Sequence, residues 1–179
     1  MSNVSPGAIT NGSGSAVPTA AATGNDAADL RADLRTALAS FTAASIGLRG
    51  IQIVMQESQA VGISLMRNQL GQKEFEGMTP EGGTLEGFQV ITSESVRDGD
   101  VVFVKGAEIF LADDDGLQID SSREASVVMD DGGGTGGTEP VSLWQYNLVG
   151  LRVEREIYWQ RRRDKSVYLI TSATYGQPT

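Results

Sequence analysis

The sequence predicts an α+β fold, in which one long amphipathic helix packs on a sheet of long strands, with a mixed region between them. Three observations carry this. Leu30, Leu34, Ala37, Leu38 and Phe41 recur at intervals of three and four, which places them on one helical face. From Leu85 to Met129, short apolar runs alternate with turn residues. Val149, Leu151, Val153, Ile157 and Trp159 then alternate with polar residues at a period of two.

The helix is expected from Ala27 to Ala44, roughly 27 Å at 1.5 Å per residue. Asp26 stands where an N-cap belongs, and Asp29 adds negative charge to the first turn. Gly47 and Gly50 are expected to close it. Residues 1–25, rich in Ser, Gly, Ala, Thr and Asn, have little apolar content to order them and read as a flexible lead segment.

Ile51–Met55 is short, apolar and rich in β-branched residues, which predicts a buried strand. Glu57 to Asn68 reads as a second helix with Ala60, Val61, Leu65 and Met66 inward and Gly62 as a weak point. Strands are expected at Leu85–Thr92, Val101–Val104, Glu108–Ala112, Leu117–Asp120 and Ala125–Met129. Asp114-Asp115-Gly116 lies between two apolar runs, a hairpin signature. Gly132 to Gly137 reads as a surface loop.

The alternating stretch from Val149 to Trp159 exceeds the usual five or six residues of a strand, so it is expected to cross the molecule. Arg161 to Lys165 forms a charged turn, and Ser166 to Thr171 is expected to return as the partner strand. Leu34, Leu38, Phe41, Leu151, Val153 and Ile157 are the expected core.

Composition narrows the function. The 179 residues are 40% hydrophobic and 21% charged, as in an ordinary globular domain. Cysteine and histidine are both absent, which removes disulfides, thiolate or imidazole zinc sites and any Ser-His-Asp triad. No apolar run approaches the roughly 20 residues of a membrane helix, and no secretory pattern opens the chain. The net charge of −9 argues against a uniform phosphate-binding face.

Each cluster that could carry chemistry has a plainer reading. Asp113, Asp114, Asp115 and Asp120 lack the spacing of a calcium loop and read as a turn. Arg161, Arg162 and Arg163 read as a solvated turn or an intersubunit salt-bridge patch. Trp144, Tyr146, Tyr158 and Trp159 read as core or interface anchors. Glu154 and Glu156 share a strand face, so their proximity says nothing about acid–base chemistry. No catalytic residue, no cofactor site and no metal site is expected, and the chain does not read as an enzyme.

Three colinear stretches add a resemblance: SLMRNQLGQKEFEGMTPEGGTLEGFQVITSESV, GAEIFLADDDGLQIDSSREASVVMDD and VSLWQYNLVGLRVEREIYWQRRRDKSVYLI. Together they resemble the C-terminal half of tailed-phage major capsid proteins with the Hong Kong 97-type fold. The resemblance implies a structural shell subunit that forms pentamers and hexamers around DNA. It also implies an axial domain over residues 47–140 and a peripheral domain over 26–46 and 141–176. In that picture Ala27–Ala44 is the peripheral spine helix.

The implied partners are copies of the chain or of the full-length capsid protein, then portal, scaffold or protease proteins of the phage head. No sequence-specific nucleic acid and no membrane is among them. The implied location is the virion, and the host bacterial cytoplasm during assembly. An encapsulin-like compartment shell and a head or tail accessory protein are the alternatives. The N-terminal arm and extended loop of the family precede the spine helix and are not recognisable here. The chain is therefore expected to be a fragment, an internal-start product or one half of a split gene. By itself it is expected to be a monomer or loose oligomer at micromolar concentration.

Overall fold

The computed structural model describes residues 8–10, 17–113, 116–129 and 139–176. Contacts divide the chain into a larger unit, Met1–Leu111 with Trp159–Thr179, and a smaller one, Ala112–Tyr158. These divisions differ from the boundaries expected at 46/47 and 140/141.

The larger unit is built on a seven-stranded mixed sheet. Its strands, in spatial order, are β1 (Thr19–Ala21), β13 (Val167–Thr171), β6 (Val101–Lys105), β2 (Ile51–Met55), β5 (Phe88–Thr92), β4 (Gly82–Leu85) and β3 (Met78–Thr79). β1 runs parallel to β13 and β2 parallel to β5, while the other neighbours are antiparallel. β1 lies in the expected lead segment, so residues 17–25 are not a free leader. Their backbone joins the sheet edge, and Val17 is buried against Val102, Val104 and Val167.

Helix α1 (Ala27–Ala43) begins as the sequence requires. The Asp26 carboxylate accepts from the Asp29 backbone N–H at 2.8 Å, and the Asp29 side chain accepts from the Asp26 N–H, a reciprocal capping box. It ends differently. Ser45, in the left-handed conformation at φ 56°, closes it in place of Gly47 or Gly50, and Gly50 takes its own positive φ of 75° only five residues later. Ile46 N–H then donates to the Phe41 carbonyl at 2.9 Å and Ser45 N–H to the Thr42 carbonyl at 2.9 Å, which is a Schellman closure.

One face of α1, Leu30, Leu34, Ala37 and Phe41, packs on the sheet face carrying Ile51, Ile53, Met55, Val101 and Phe103. The period-two rule explains the selection in β2, where alternate residues are buried. β6 is buried on both faces, since Val102 and Val104 belong to a second cluster on the opposite side. Phe103 and Tyr168 face each other across β6 and β13 with ring centroids 6.4 Å apart at 77°.

Helix α2 (Glu57–Leu65) is shorter than expected and turned by about one residue. Ala60, Gly62 and Ile63 are buried, while Leu65 is exposed. The turning has a nonlocal cause. The carbonyl of Tyr175 lies where a Cβ on Gly62 would sit, so the glycine lets the C-terminal segment approach the helix. The expected single strand Leu85–Thr92 is instead the β4–β5 hairpin. Glu86 and Gly87 both have positive φ, 48° and 86°, as a two-residue type I′ turn requires.

The remaining strands form two-stranded ribbons. β7 (Ile109–Asp113) pairs with β12 (Ile157–Arg161), β8 (Gln118–Ser122) with β11 (Gly150–Glu154), and β9 (Ser126–Met129) with β10 (Glu139–Ser142). Three expectations are corrected here. The long alternating strand is broken at Arg155 and Glu156. Its partners are β7 and β8, not Ser166–Thr171, whose strand β13 lies between β1 and β6. The hairpin signature at Asp114-Asp115-Gly116 does not pair β7 with β8, and Asp114 and Asp115 lie outside the described residues, as does Gly132–Gly137.

The packing of the helix is corrected as well. α1 lies on the seven-stranded sheet, and Leu151, Val153 and Ile157, expected in the core beside it, are exposed. Alternation fixed which side of the strand is apolar without fixing what would cover that side.

Candidate assembly surfaces

The basic run Arg161, Arg162 and Arg163 is anchored at one end of the seven-stranded sheet. Arg162 N–H donates to the Glu108 carbonyl at 2.8 Å, and its guanidinium lies 3.9 Å from the Glu108 carboxylate. Arg163 reaches the same carboxylate at 3.3 Å and donates to the carbonyls of Ala44 and Ser45, where α1 ends. A cation at a helix C-terminus complements the unpaired carbonyls and the dipole there. Arg161 donates to the Asp164 carbonyl at 3.2 Å, closing the turn.

Strand pairing brings further cations to this end. Lys105 lies opposite Ile51 and donates to the Arg49 carbonyl. Val104 lies opposite Val167, which brings Lys165 close by. Six cations (Arg49, Lys105, Arg161, Arg162, Arg163 and Lys165) gather there with Glu108 and Asp164, leaving four net positive charges in a chain of net −9. Exposed Phe110 and Leu111 lie two and three residues after Glu108. Arg49 and Lys165 have no carboxylate partner among the described residues.

The smaller unit carries a surface of the opposite kind. In the β8–β11 ribbon, Ile119 lies opposite Val153 and Ser121 opposite Leu151, so these side chains share one face. Leu117, two residues before Ile119, extends it. The other face holds Asp120 opposite Arg152 and Gln118 opposite Glu154. The apolar face is open: Leu151 is 73% exposed, Ile119 61%, Val153 59% and Leu117 57%. A two-stranded ribbon is marginally stable in water unless such a face is covered.

Asp113 is paired with Arg155, whose guanidinium holds the carboxyl below its usual range. Asp120 belongs to a different ribbon from Asp113 and lies opposite Arg152 on its polar face. Among the described residues no group of three or more His, Cys, Asp or Glu side chains could hold a metal, and Asp114 and Asp115 lie outside them. Glu154 and Glu156 are separated by the strand break, and Glu154 is paired with Arg152. Trp144 and Tyr146 are well exposed and Tyr158 and Trp159 partly so; none is in the core.

A cleft along α1 is lined by Arg31, Leu34, Arg35, Leu38 and Phe88. Arg31 is held there by Glu74 at 2.6 Å and Glu86 at 3.0 Å, above the Phe75 ring. Sequence reasoning missed the cluster of cations at the sheet end, since Lys105 and Arg49 join it only through strand pairing. It also missed Tyr175 and Asp33, two buried polar residues joined at 2.6 Å.

No family model matches the chain. A capsid polyprotein of Pseudomonas phage PAJU2 is 40% identical over 183 residues, covering 98% of this chain and 27% of that protein. The chain thus spans about a quarter of this relative's length. Among solved structures, one from Mycobacterium phage Adephagia superposes with a TM-score of 0.59 at 11% identity, covering 86% of this chain and 50% of that one. The capsid of an empty GTA particle gives 0.55 at 14% identity, covering 88% and 50%. The chain has the Hong Kong 97-type phage capsid fold. The resemblance to phage capsid proteins drawn from the three stretches is borne out, and the match covers about half of the length of these capsid chains. The capsid fold here is an α+β arrangement with a large mixed sheet and few helices. No helix among the described residues is long and apolar enough to cross a membrane.

Proposed function

We propose that the chain is part of a structural subunit of an icosahedral phage capsid, forming pentamers and hexamers with copies of itself or of a longer capsid protein and enclosing DNA. The observation that carries this is the 40% identity to a capsid polyprotein over nearly the whole chain, together with the capsid fold. Its role is to hold neighbours rather than to turn over a substrate. The open apolar ribbon and the basic sheet end supply surfaces of the kind such contacts need. In this reading residues 47–140 belong to the axial part of the subunit, and residues 26–46 and 141–176 to the peripheral part. Portal, scaffold and protease proteins are partners during assembly in the host cytoplasm, and the mature location is the virion.

Mass spectrometry of nuclease-treated, gradient-purified particles tests the proposal. Peptides of this chain should be among the most abundant in DNA-filled particles. Their absence from particles sinks the reading, and their presence in DNA-free shells packed with an enzyme moves it to a compartment.

A further inference from the structure

The two open surfaces differ in charge, and that difference selects a partner. Within Ala112–Tyr158 the sequence holds ten acidic and three basic residues, a net of −7. Of these acids, Asp120, Glu124 and Glu156 are exposed and without a cation partner among the described residues. Two such units face to face would bring like charges together, which costs association free energy. The sheet end of the larger unit offers the complement, with Arg49 and Lys165 exposed and without a carboxylate partner among the described residues, and Phe110 and Leu111 exposed near the run.

We propose that the β8–β11 ribbon of one copy docks on the basic sheet end of a neighbouring copy, its apolar face toward the Phe110–Leu111 segment and the carboxylates at its two ends, Glu124 and Glu156, toward Arg49 and Lys165. This rests on the shell reading and names the surfaces that meet. The contact is heterologous: the two patches are different, so each copy presents one and receives on the other, as rings require. A phosphate backbone is the weaker occupant. Arg162 and Arg163 are already held by Glu108 and by helix carbonyls, and the net charge of −9 repels a polyanion at long range.

Zero-length carboxylate–lysine crosslinking of the full chain, mixed from light and 15N-labelled stocks, tests it at high protein concentration and low salt. Crosslinks between copies from Lys165 or Lys105 to Glu124 or Glu156 are expected, and they should fade at high salt as the charges are screened. Two variants complete the test, Arg49→Glu with Lys165→Glu and Glu124→Lys with Glu156→Lys. Each alone should weaken association about tenfold or more in sedimentation equilibrium, and mixing the two should restore it, as complementary reversals do.

Intermolecular crosslinks that join ribbon to ribbon, or a mixture no better than either variant, overturn the inference and leave the shell reading intact. Duplex DNA that binds the basic end and is lost in the Arg49→Glu, Lys165→Glu variant also overturns it, assigning that end to phosphate. A chain that forms no intermolecular species at any concentration overturns the inference, while the shell reading, which includes assembly with a longer capsid protein, is decided by the particle composition.

Discussion

The Tyr175 hydroxyl donates to Oδ2 of Asp33 at 2.6 Å, joining residues 142 apart in sequence, and both side chains are buried. The same oxygen accepts from the Thr23 backbone N–H at 3.0 Å. One carboxylate therefore ties the C-terminal segment and the segment carrying β1 to helix α1. Replacing Tyr175 by Phe leaves the ring volume but takes one donor from a buried carboxylate. A loss of about 1–3 kcal/mol is expected in urea denaturation, the range for a buried polar group left short of a partner.

The same pair sets an alkaline limit. Burial, then the hydrogen bond to Asp33, pushes the Tyr175 hydroxyl well above its ordinary value, and burial raises Tyr168 as well. An unfolded tyrosine loses its proton near pH 10. Above that pH the folded chain binds more protons than the unfolded one, so stability is fully present below about pH 10 and falls as pH rises toward the folded value. Urea midpoints measured from pH 8 to 11.5 should decline above 10, with a shallower decline in Tyr175→Phe. An equal slope in both would remove Tyr175 from the account.

Gly62 separates two opposed effects. Alanine is the better helix former by about 1 kcal/mol, so on propensity alone Gly62→Ala stabilises α2. Its Cβ would meet the carbonyl of Tyr175, a backbone atom that cannot rotate aside. Overpacking of this kind costs typically 1–3 kcal/mol, so net destabilisation is expected, with faster hydrogen exchange at the Gly176 amide that donates to Asn25. A more stable variant would show that the C-terminal segment gives way.

What was legible in the sequence was local. The capping box of α1 needs only Asp26 and Asp29, and the burial of β2 only the run Ile51–Met55. Ser45 as the left-handed cap was not legible, because two nearby glycines are better suited to that conformation. The inward face of α2 depends on Tyr175, over a hundred residues away, and periodicity cannot register such a neighbour. The basic run was visible as charge. Its convergence with Arg49 and Lys105 depended on the pairing of β2 with β6. The ribbon was legible as a pattern and misplaced as a contact, since Leu151 and Val153 follow the alternation of a buried strand while standing open.

That last distinction yields a paired prediction. Phe41 is fully buried between α1 and the sheet, and Leu151 is among the most exposed apolar residues of the chain. Phe41→Ala removes a ring from a filled core and should cost about 3–5 kcal/mol, enough to unfold a marginal domain. Leu151→Ala removes almost no intramolecular contact, so its effect on the isolated chain should stay within about 0.5 kcal/mol. The order reverses when association is the readout. Leu151→Ala should weaken self-association in sedimentation equilibrium while the urea midpoint stays put, because the side chain stands ready for a neighbour rather than for its own core. A Leu151→Ala chain as destabilised as Phe41→Ala would mean that the ribbon face is covered within one copy, and the surface assigned to assembly would belong to the core instead.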